Sequence, residues 1–400
     1  MNKNSVEFFN GYWGKTETYP VISNENTIIE NSIFEGKDSI GFSSDIIRAQ
    51  PLFYGLINNE WFITDNLSAY QKKNESFDID QTNLEQYIAS GFVYGNGTIY
   101  KDVYALQAGE VITIKGNEIH SQRYFEFKPK ETLAIFSDIN FFTKALDQVF
   151  LSVFKRMLEQ TPEVNRWIIP LSGGHDSRII VNYLHRLDVK NVVCFSYGTP
   201  GNEQSEISKK VAETLGYEWH FVEYTEQKWQ ALHENGKIDA YIEYAFNGVS
   251  TPHLQDFLAV YELKEKGLLQ EGDVFVPGHT LDFVSGGHLN DLDLSCKTKK
   301  DAVKRVFLRH SRIRDFSPAP VRTIEGIFEN ARIKPNQFQE YFNWQERQAK
   351  FIVNSIRAYE FFGYEACPSG TGSWLISGLQ YPPKCEKAAR LFLKQKKTGF

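Results

Sequence analysis

The stretch Trp167-Ile-Ile-Pro-Leu-Ser-Gly-Gly-His-Asp-Ser-Arg178 limits what this chain can become more than any other, because a short β-branched run empties directly into a Ser-Gly-Gly-x-Asp-Ser turn. Apolar residues return at Ile179, Ile180, Tyr183, Leu184 and Leu187, the spacing of one helix face. The turn therefore joins a strand's C-terminal end to a helix N-terminus, where backbone N–H groups have no partner inside the helix. Gly173 and Gly174 let the backbone approach an anion, Ser172 and Ser177 add hydroxyl donors, and the helix dipole favours negative charge. The turn reads as a phosphate loop. It lacks the lysine of Gly-x-x-x-x-Gly-Lys-Ser/Thr, which argues against a Walker-type kinase or ATPase.

From Trp167 onward the pattern alternates. Strands are expected at 167–171, 191–197 and 219–224, and helices at 177–187 and 203–215. Such alternation predicts an α/β fold with a parallel sheet and right-handed crossovers. Ligands of these sheets bind beyond the strand C-terminal ends, where the Ser172 loop, the Ser196-Tyr197-Gly198 turn and Val274-Phe-Val-Pro-Gly278 all fall. Glu203 and Glu206 open the second crossover helix, where negative charge suits the dipole; that structural reading is preferred to a catalytic one.

Ahead of this region, residues 1 to about 128 read as β-rich. Thr27-Ile-Ile-Glu, Gly41-Phe-Ser, Leu52-Phe-Tyr-Gly-Leu, Glu60-Trp-Phe-Ile-Thr and Val111-Ile-Thr-Ile are short runs bounded by turn residues, with one helix expected near 83–90. The pattern loosens between Lys128 and Asp138, which divides the chain into domains at 1–130 and 131–400. Asp138 would cap a helix carrying Phe142, Leu146, Val149, Val153 and Met157 on its buried face. Beyond 225 the chain reads as mostly helical. Its strongest helix spans Arg347 to Phe362, with Phe351, Ile352, Ser355, Ile356 and Tyr359 along one face and Gly363 as its stop.

Length suits two or three domains, and a net charge of −6 supplies no general drive toward nucleic acid or an anionic membrane. The basic run Lys297, Lys299, Lys300, Lys304, Arg305, Arg309, Arg312 and Arg314 is interleaved with Val303, Val306, Phe307 and Leu308, as on a solvated helix face. Four cysteines, Cys194, Cys296, Cys367 and Cys385, with no Cys-x-x-Cys spacing, support neither a disulfide framework nor a zinc site. The first residues lack a signal-peptide core and no run approaches 18 apolar residues, so a cytoplasmic location is the expectation.

The Ser172–Ser177 loop resembles the pyrophosphate loop of N-type ATP pyrophosphatases, enzymes that split ATP between its α and β phosphates. A second segment, Pro277-Gly-His-Thr-Leu-Asp-Phe-Val-Ser-Gly-Gly-His288, resembles the asparagine synthetase segment Ser-Gly-x-Gly-Ala-Asp-Glu-x-x-Gly-Gly-Tyr, with Gly278, Asp282, Gly286 and Gly287 at matching positions. Asp45-Ile-Ile-Arg-Ala-Gln-Pro-Leu-Phe-Tyr54 and Thr98–Gly109 resemble parts of the same family's glutaminase domain. The resemblance implies a parallel-sheet ATP-pyrophosphatase domain with a helical C-terminal part, preceded by a smaller β-rich domain of degenerate N-terminal-nucleophile type. It implies ATP and Mg2+ as cofactors, with pyrophosphate on the Ser172 loop and magnesium on Asp176 and Asp282. Adenine would lie near Leu171, Ser196 and Gly278. A helix-capping role is the alternative reading of Asp282.

Three departures from the family bear on function. Position 2 is asparagine and the nearest cysteine is Cys194, whereas the family's glutaminase uses an N-terminal cysteine; glutamine hydrolysis is therefore not expected. The region resembles the silent amino-terminal domains of β-lactam synthetases and lasso-peptide cyclases. His279 stands where asparagine synthetases have a glutamate, either as general base or as a residue lining the cleft. Lys394-Gln-Lys-Lys397-Thr-Gly-Phe400 resembles the family's Arg-x-Lys-x-Gly-Phe, whose lysine neutralises the leaving pyrophosphate; a solvated basic tail is the other reading of Lys397. Arg357 and Tyr359 fall where relatives build the acceptor pocket, Arg357 as a forked carboxylate anchor and Tyr359 with helix packing as an equal explanation.

The implied activity is an asparagine-synthase-like amide ligase that adenylates a small-molecule or peptide carboxylate and passes it to an amine or ammonia. A macrolactam-forming cyclase, a tRNA-modifying pyrophosphatase and a non-catalytic ATP-binding partner remain as alternatives. Neither nucleic acid nor membrane is an expected partner, and oligomeric state stays open.

Overall fold

The computed structural model describes residues 5–8, 14–16, 31–36, 38–74, 76–129, 139–284, 286–313 and 318–366. The chain divides into two compact units, one of 1–129, 243–252 and 289–354, the other of 130–242, 253–288 and 355–400.

In the first unit, strands β1 (Ser5–Glu7), β2 (Gly14–Thr16), β3 (Ser32–Glu35), β4 (Ser39–Ser43), β5 (Phe53–Ile57), β6 (Glu60–Thr64), β7 (Val103–Ala105), β8 (Glu110–Lys115) and β9 (Glu118–Arg123) form two sheets, ordered β1-β6-β5-β7 and β2-β3-β4-β8-β9. Alternation places Ile33, Phe42, Ile112 and Ile114 of one sheet and Tyr54, Trp61 and Ile63 of the other in one shared core. Helices at Leu67–Lys73 and Gln81–Ser90 interrupt the strands, the second near the expected position. The segment Asp45–Pro51 turns tightly: Asp45 accepts backbone N–H bonds from Ile47 (2.8 Å) and Ala49 (3.2 Å), and Arg48 adopts a φ of 58°. The expected strand at Thr27–Glu30 lies outside the described residues. A helical part completes this unit, with Val303, Val306, Ile324, Phe338 and Phe342 packed on Phe92 and Tyr94.

The second unit is built on five parallel strands, β10 (Trp167–Pro170), β11 (Val192–Gly198), β12 (Glu218–Glu223), β13 (Val274–Phe275) and β14 (Glu365–Ala366), ordered β12-β11-β10-β13-β14. The run Trp167-Ile-Ile is buried on both faces, as a central parallel strand must be. Helix His175–Arg186 buries Ile180, Val181, Tyr183 and Leu184, and helix Ile139–Gln160 adds Leu146, Val153, Phe154 and Met157 to the same core. Asp138, its expected cap, lies outside the described residues. Helix Glu203–Leu215 starts at Asn202, whose side chain accepts from Ser205 N–H, and ends at Gly216 with φ 74°. Small buried residues Ser205, Ser208 and Ala212 let it approach the sheet closely.

The single helix expected from Arg347 to Phe362 is longer and less regular. It runs as an α-turn at Phe338–Phe342, a wide i→i+5 helix at Asn343–Ile352, a 3-10 turn at Val353–Ile356 and an α-turn at Arg357–Phe361. Apolar spacing reports the buried face but not which carbonyl each N–H chooses, so periodicity alone could not register the change. Gly363 ends it at φ 86°. No helix among the described residues is long and apolar enough to cross a membrane.

Candidate active site at the strand ends

The phosphate loop is closed by its own serines. Ser172 N–H donates to Ser177 Oγ (2.9 Å), the two hydroxyls lie 3.1 Å apart, and Gly174 N–H donates to Ser172 Oγ (3.2 Å). Helix 175–186 has Gly174 at its N-cap with no side-chain cap, so its first turn keeps the anion-seeking character of an uncapped helix start. Gly278 brings the end of β13 against this loop: a Cβ there would stand 3.1 Å from Ser177 N and 3.4 Å from Asp176. Gly173 is required by packing as well, since a Cβ would meet Gln204 Oε1 at 2.7 Å.

Asp176, in the first helical turn, and Asp282, in the short helix Leu281–Val284, act on one another. Burial, and then the negative charge of Asp282, push the Asp176 carboxyl up to about 6. Gly287 is part of the same arrangement, because a Cβ on it would lie 2.1 Å from Asp282 Oδ1. A half-buried carboxylate beside a second one is a donor set that fits magnesium, which takes one or two protein carboxylates and fills its octahedron with phosphate and water oxygens. Among the described residues no group of three or more His, Cys, Asp or Glu is placed to hold a metal.

Leu171 and Ser196 stand at adjacent strand ends. Ser196 Oγ donates to Leu171 O (2.6 Å), shares a short hydrogen bond with Ser208 Oγ and accepts from Trp219 Nε1 (3.2 Å). Its hydroxyl is thus committed to the protein interior, which leaves backbone edges for any ligand.

Next to Gly278, His279 lies in a polar cluster that no motif announced. Its Nδ1 is 2.7 Å from Ser355 Oγ, and its Nε2 is 3.9 Å from Asp256 Oδ2. Asp256 is buried, and its two oxygens accept short hydrogen bonds from the hydroxyls of Tyr197 and Tyr359. Burial, with the Asp256 charge next, pushes Tyr197, Tyr224 and Tyr359 well above the ordinary phenol range, so they act as neutral donors. His253, its ring 5.6 Å from that of His279, is pushed down by burial, against the pull of Asp256. These residues come from β11, the segment around 253–256, the loop after β13 and the turn at 355–359. Their separations of 23 to 103 residues follow no sequence pattern, so Asp256 and the tyrosine hydroxyls were not legible as a group.

Arg357 is buried with 4% exposure, and its guanidinium forms an ion pair with Glu360, one turn along. That pair engages the fork expected to anchor a substrate carboxylate. Tyr359, by contrast, packs on Phe275 (centroids 4.4 Å apart) and holds Asp256 at once, so packing and site both claim it. Glu203 and Glu206 sit in the first turn of their helix, as the dipole reading expected. Lys397, with the basic segment around it, lies outside the described residues.

Residues 156–267 match the family model for asparagine synthase, and residues 33–125 match that for a glutamine amidotransferase domain. A Methanocaldococcus jannaschii protein, provisionally named as a glutamine-hydrolysing asparagine synthetase, is 23% identical over 206 residues, 50% of this chain and 39% of that protein. The chain thus spans about two fifths of that relative's length. The structure of NMN synthetase from Francisella tularensis aligns with 54% of this chain and 97% of its own at 13% identity and a TM-score of 0.25, a likeness too loose to bear on function.

Proposed function

We propose that this chain, which belongs to the asparagine synthetase family and carries a glutamine-amidotransferase-type domain ahead of its asparagine-synthase domain, is an ATP-dependent carbon–nitrogen ligase. The observation that carries the reading is the serine-closed loop at an uncapped helix start with Asp176 and Asp282 interacting beside it. In this reading the loop N–H groups and the helix dipole bind the β and γ phosphates of ATP. A substrate carboxylate attacks the α-phosphorus and pyrophosphate departs, leaving an acyl-adenylate. Asp176 and Asp282 would hold magnesium, which when bound would supply positive charge against the pyrophosphate. His279, reached from solvent through its 30% exposed side chain, takes a proton from the attacking amine or ammonia as AMP leaves. Leu171, Ser196 and Gly278 contribute backbone edges to the nucleotide, and Lys397 adds charge near the leaving group.

We propose further that glutamine is not the nitrogen donor, because the first cysteine of this sequence, Cys194, is buried with its thiol pushed up to about 12 by burial. The deciding experiment follows nucleotide products while a panel of carboxylates is offered with ammonium or glutamine. AMP and pyrophosphate formed with ammonium, and no glutamate formed from glutamine, are expected. ADP and phosphate as products would overturn the ligase reading, and glutamate released in step with AMP would overturn the silent-domain reading.

A further inference from the structure

Asp256 is the first buried carboxyl in this unit whose placement the nucleotide chemistry does not explain. It stands at the N-terminus of helix Phe257–Glu265, where an aspartate ordinarily accepts from the helix's own N–H groups, yet its side chain makes no such cap. The helix it precedes is apolar, burying Phe257, Leu258, Ala259, Val260 and Leu263. A carboxyl in such surroundings is costly unless its oxygens are engaged and its charge is met. Its oxygens are engaged by Tyr197 and Tyr359. Among the described residues, the one ionisable base within ion-pair distance is His279.

We infer that Asp256 is a positioning residue for His279, holding the imidazole in the tautomer that carries its proton on Nε2 and makes Nδ1 the accepting nitrogen, held at rest by the Ser355 hydroxyl. The inference rests on the reading of His279 as the base of amide formation. A carboxyl group that already accepts two O–H bonds can only favour an N–H on the ring nitrogen turned toward it, which is Nε2. Ser355, 2.7 Å from Nδ1, then donates its hydroxyl to the lone pair there and keeps the ring from rotating. Among the described residues, the groups facing the pair are Tyr197 from β11, Tyr224 after β12, Tyr241 from helix Lys237–Ala245, His253, and Ser355 and Tyr359 from the last helical run, with Arg357 and Glu360 acting on Tyr241 behind them.

In the step this serves, the nitrogen lone pair forms the bond to the acyl carbon and the carbon–oxygen bond to AMP breaks, its electron pair leaving with AMP. The nitrogen's proton passes to Ser355 Oγ as the Ser355 hydroxyl proton passes to Nδ1, so the serine stays neutral and the ring takes the charge. The resulting imidazolium has Nε2–H directed at Asp256, so the charge created in the step meets one already in place.

The test is long-range proton–nitrogen correlation NMR on the full chain with 15N-labelled histidine, the His279 signals being identified by their absence in His279→Gln. Expected are an unprotonated-type Nδ1 and a protonated-type Nε2 in the neutral ring, with loss of that single pattern in Asp256→Asn. A ring protonated on Nδ1 in the parent chain, or the parent pattern retained in folded Asp256→Asn, would overturn the inference. If Asp256→Asn does not fold, Ser355→Ala decides: the pattern persists if Asp256 sets it and disappears if Ser355 did. Because this readout uses neither ATP nor acceptor, a chain that shows the pattern but releases no pyrophosphate contradicts the ligase reading alone.

Discussion

The two ends of the parallel sheet treat carboxylates in opposite ways. At the end where the strands begin, Arg166 donates two N–H bonds to Asp273 (3.0 and 2.6 Å) and a third to Leu268 O, and Asp273 also accepts from Gln270 N–H. At the end where the strands finish, Asp176 faces the like charge of Asp282, and Asp256 faces two phenols and an imidazole. The first unit follows the closed pattern: buried Lys350 meets Glu346 at 2.5 Å and donates to Val93 O and Gly95 O, while burial holds its amine down to about 8. A carboxylate given a fixed arginine or lysine is structural. One left to a second carboxylate or a titratable ring is where a cation, a phosphate or a moving proton completes the balance.

The largest effect that can break this contrast is on stability. Arg166→Leu strands a buried Asp273 and is expected to cost about 3–5 kcal/mol in urea unfolding, with most of it regained when Asp273→Leu is added. A loss under about 1 kcal/mol, the value of an exposed pair, would erase the distinction between the two ends.

At the other end the expected loss is catalytic. Asp176→Asn should lower ATP-dependent pyrophosphate release by about 10²-fold or more, about 2.7 kcal/mol of barrier, without lowering stability. The same variant has a signature in pH. Because the folded-state carboxyl is raised from 3.8 to about 6, the folded chain holds this proton more tightly than the unfolded chain does. The site's contribution is therefore fully present below pH 3.8 and is lost as pH rises through about 6. Urea midpoints of the ligand-free parent should carry that decline and those of Asp176→Asn should not.

His279→Gln sharpens the comparison within that end, where the proposed reading gives Asp176 to the first half-reaction and His279 to the second. Pyrophosphate exchange into ATP is expected to survive while amide formation slows by roughly 10²-fold. If both fall together, His279 belongs with the nucleotide; if neither changes, it lines the cleft. The smallest effect is expected for Gly287→Ala, whose Cβ would have to displace Asp282. A loss of about tenfold in pyrophosphate release, absent when Asp282→Asn is already in place, is the expected non-additive result.

Much of the active end could be read in advance because its parts are local. The Ser172 loop, the alternation of strands and helices and the glycines at 278 and 287 each depend on backbone geometry over a few residues. The pairing of Arg357 with Glu360 was not legible for the opposite reason, since composition cannot say which partner packing brings to a guanidinium. Nor does any pattern reveal that residues 243–252 and 289–354 pack with the β-rich unit, although the loosening near 130 marks where its first segment ends.

The amino-acid sequence by itself determined the parallel sheet and the serine-glycine turn that leads from its central strand into a helix, because hydrophobic period and turn chemistry act between near neighbours. Only the tertiary structure decided which buried charges are closed and which stay open. Whether Asp273 meets Arg166, or Asp256 meets Tyr197, Tyr359 and His279, depends on contacts between segments far apart in the chain, and side-chain identity carries no record of what packing will bring against it.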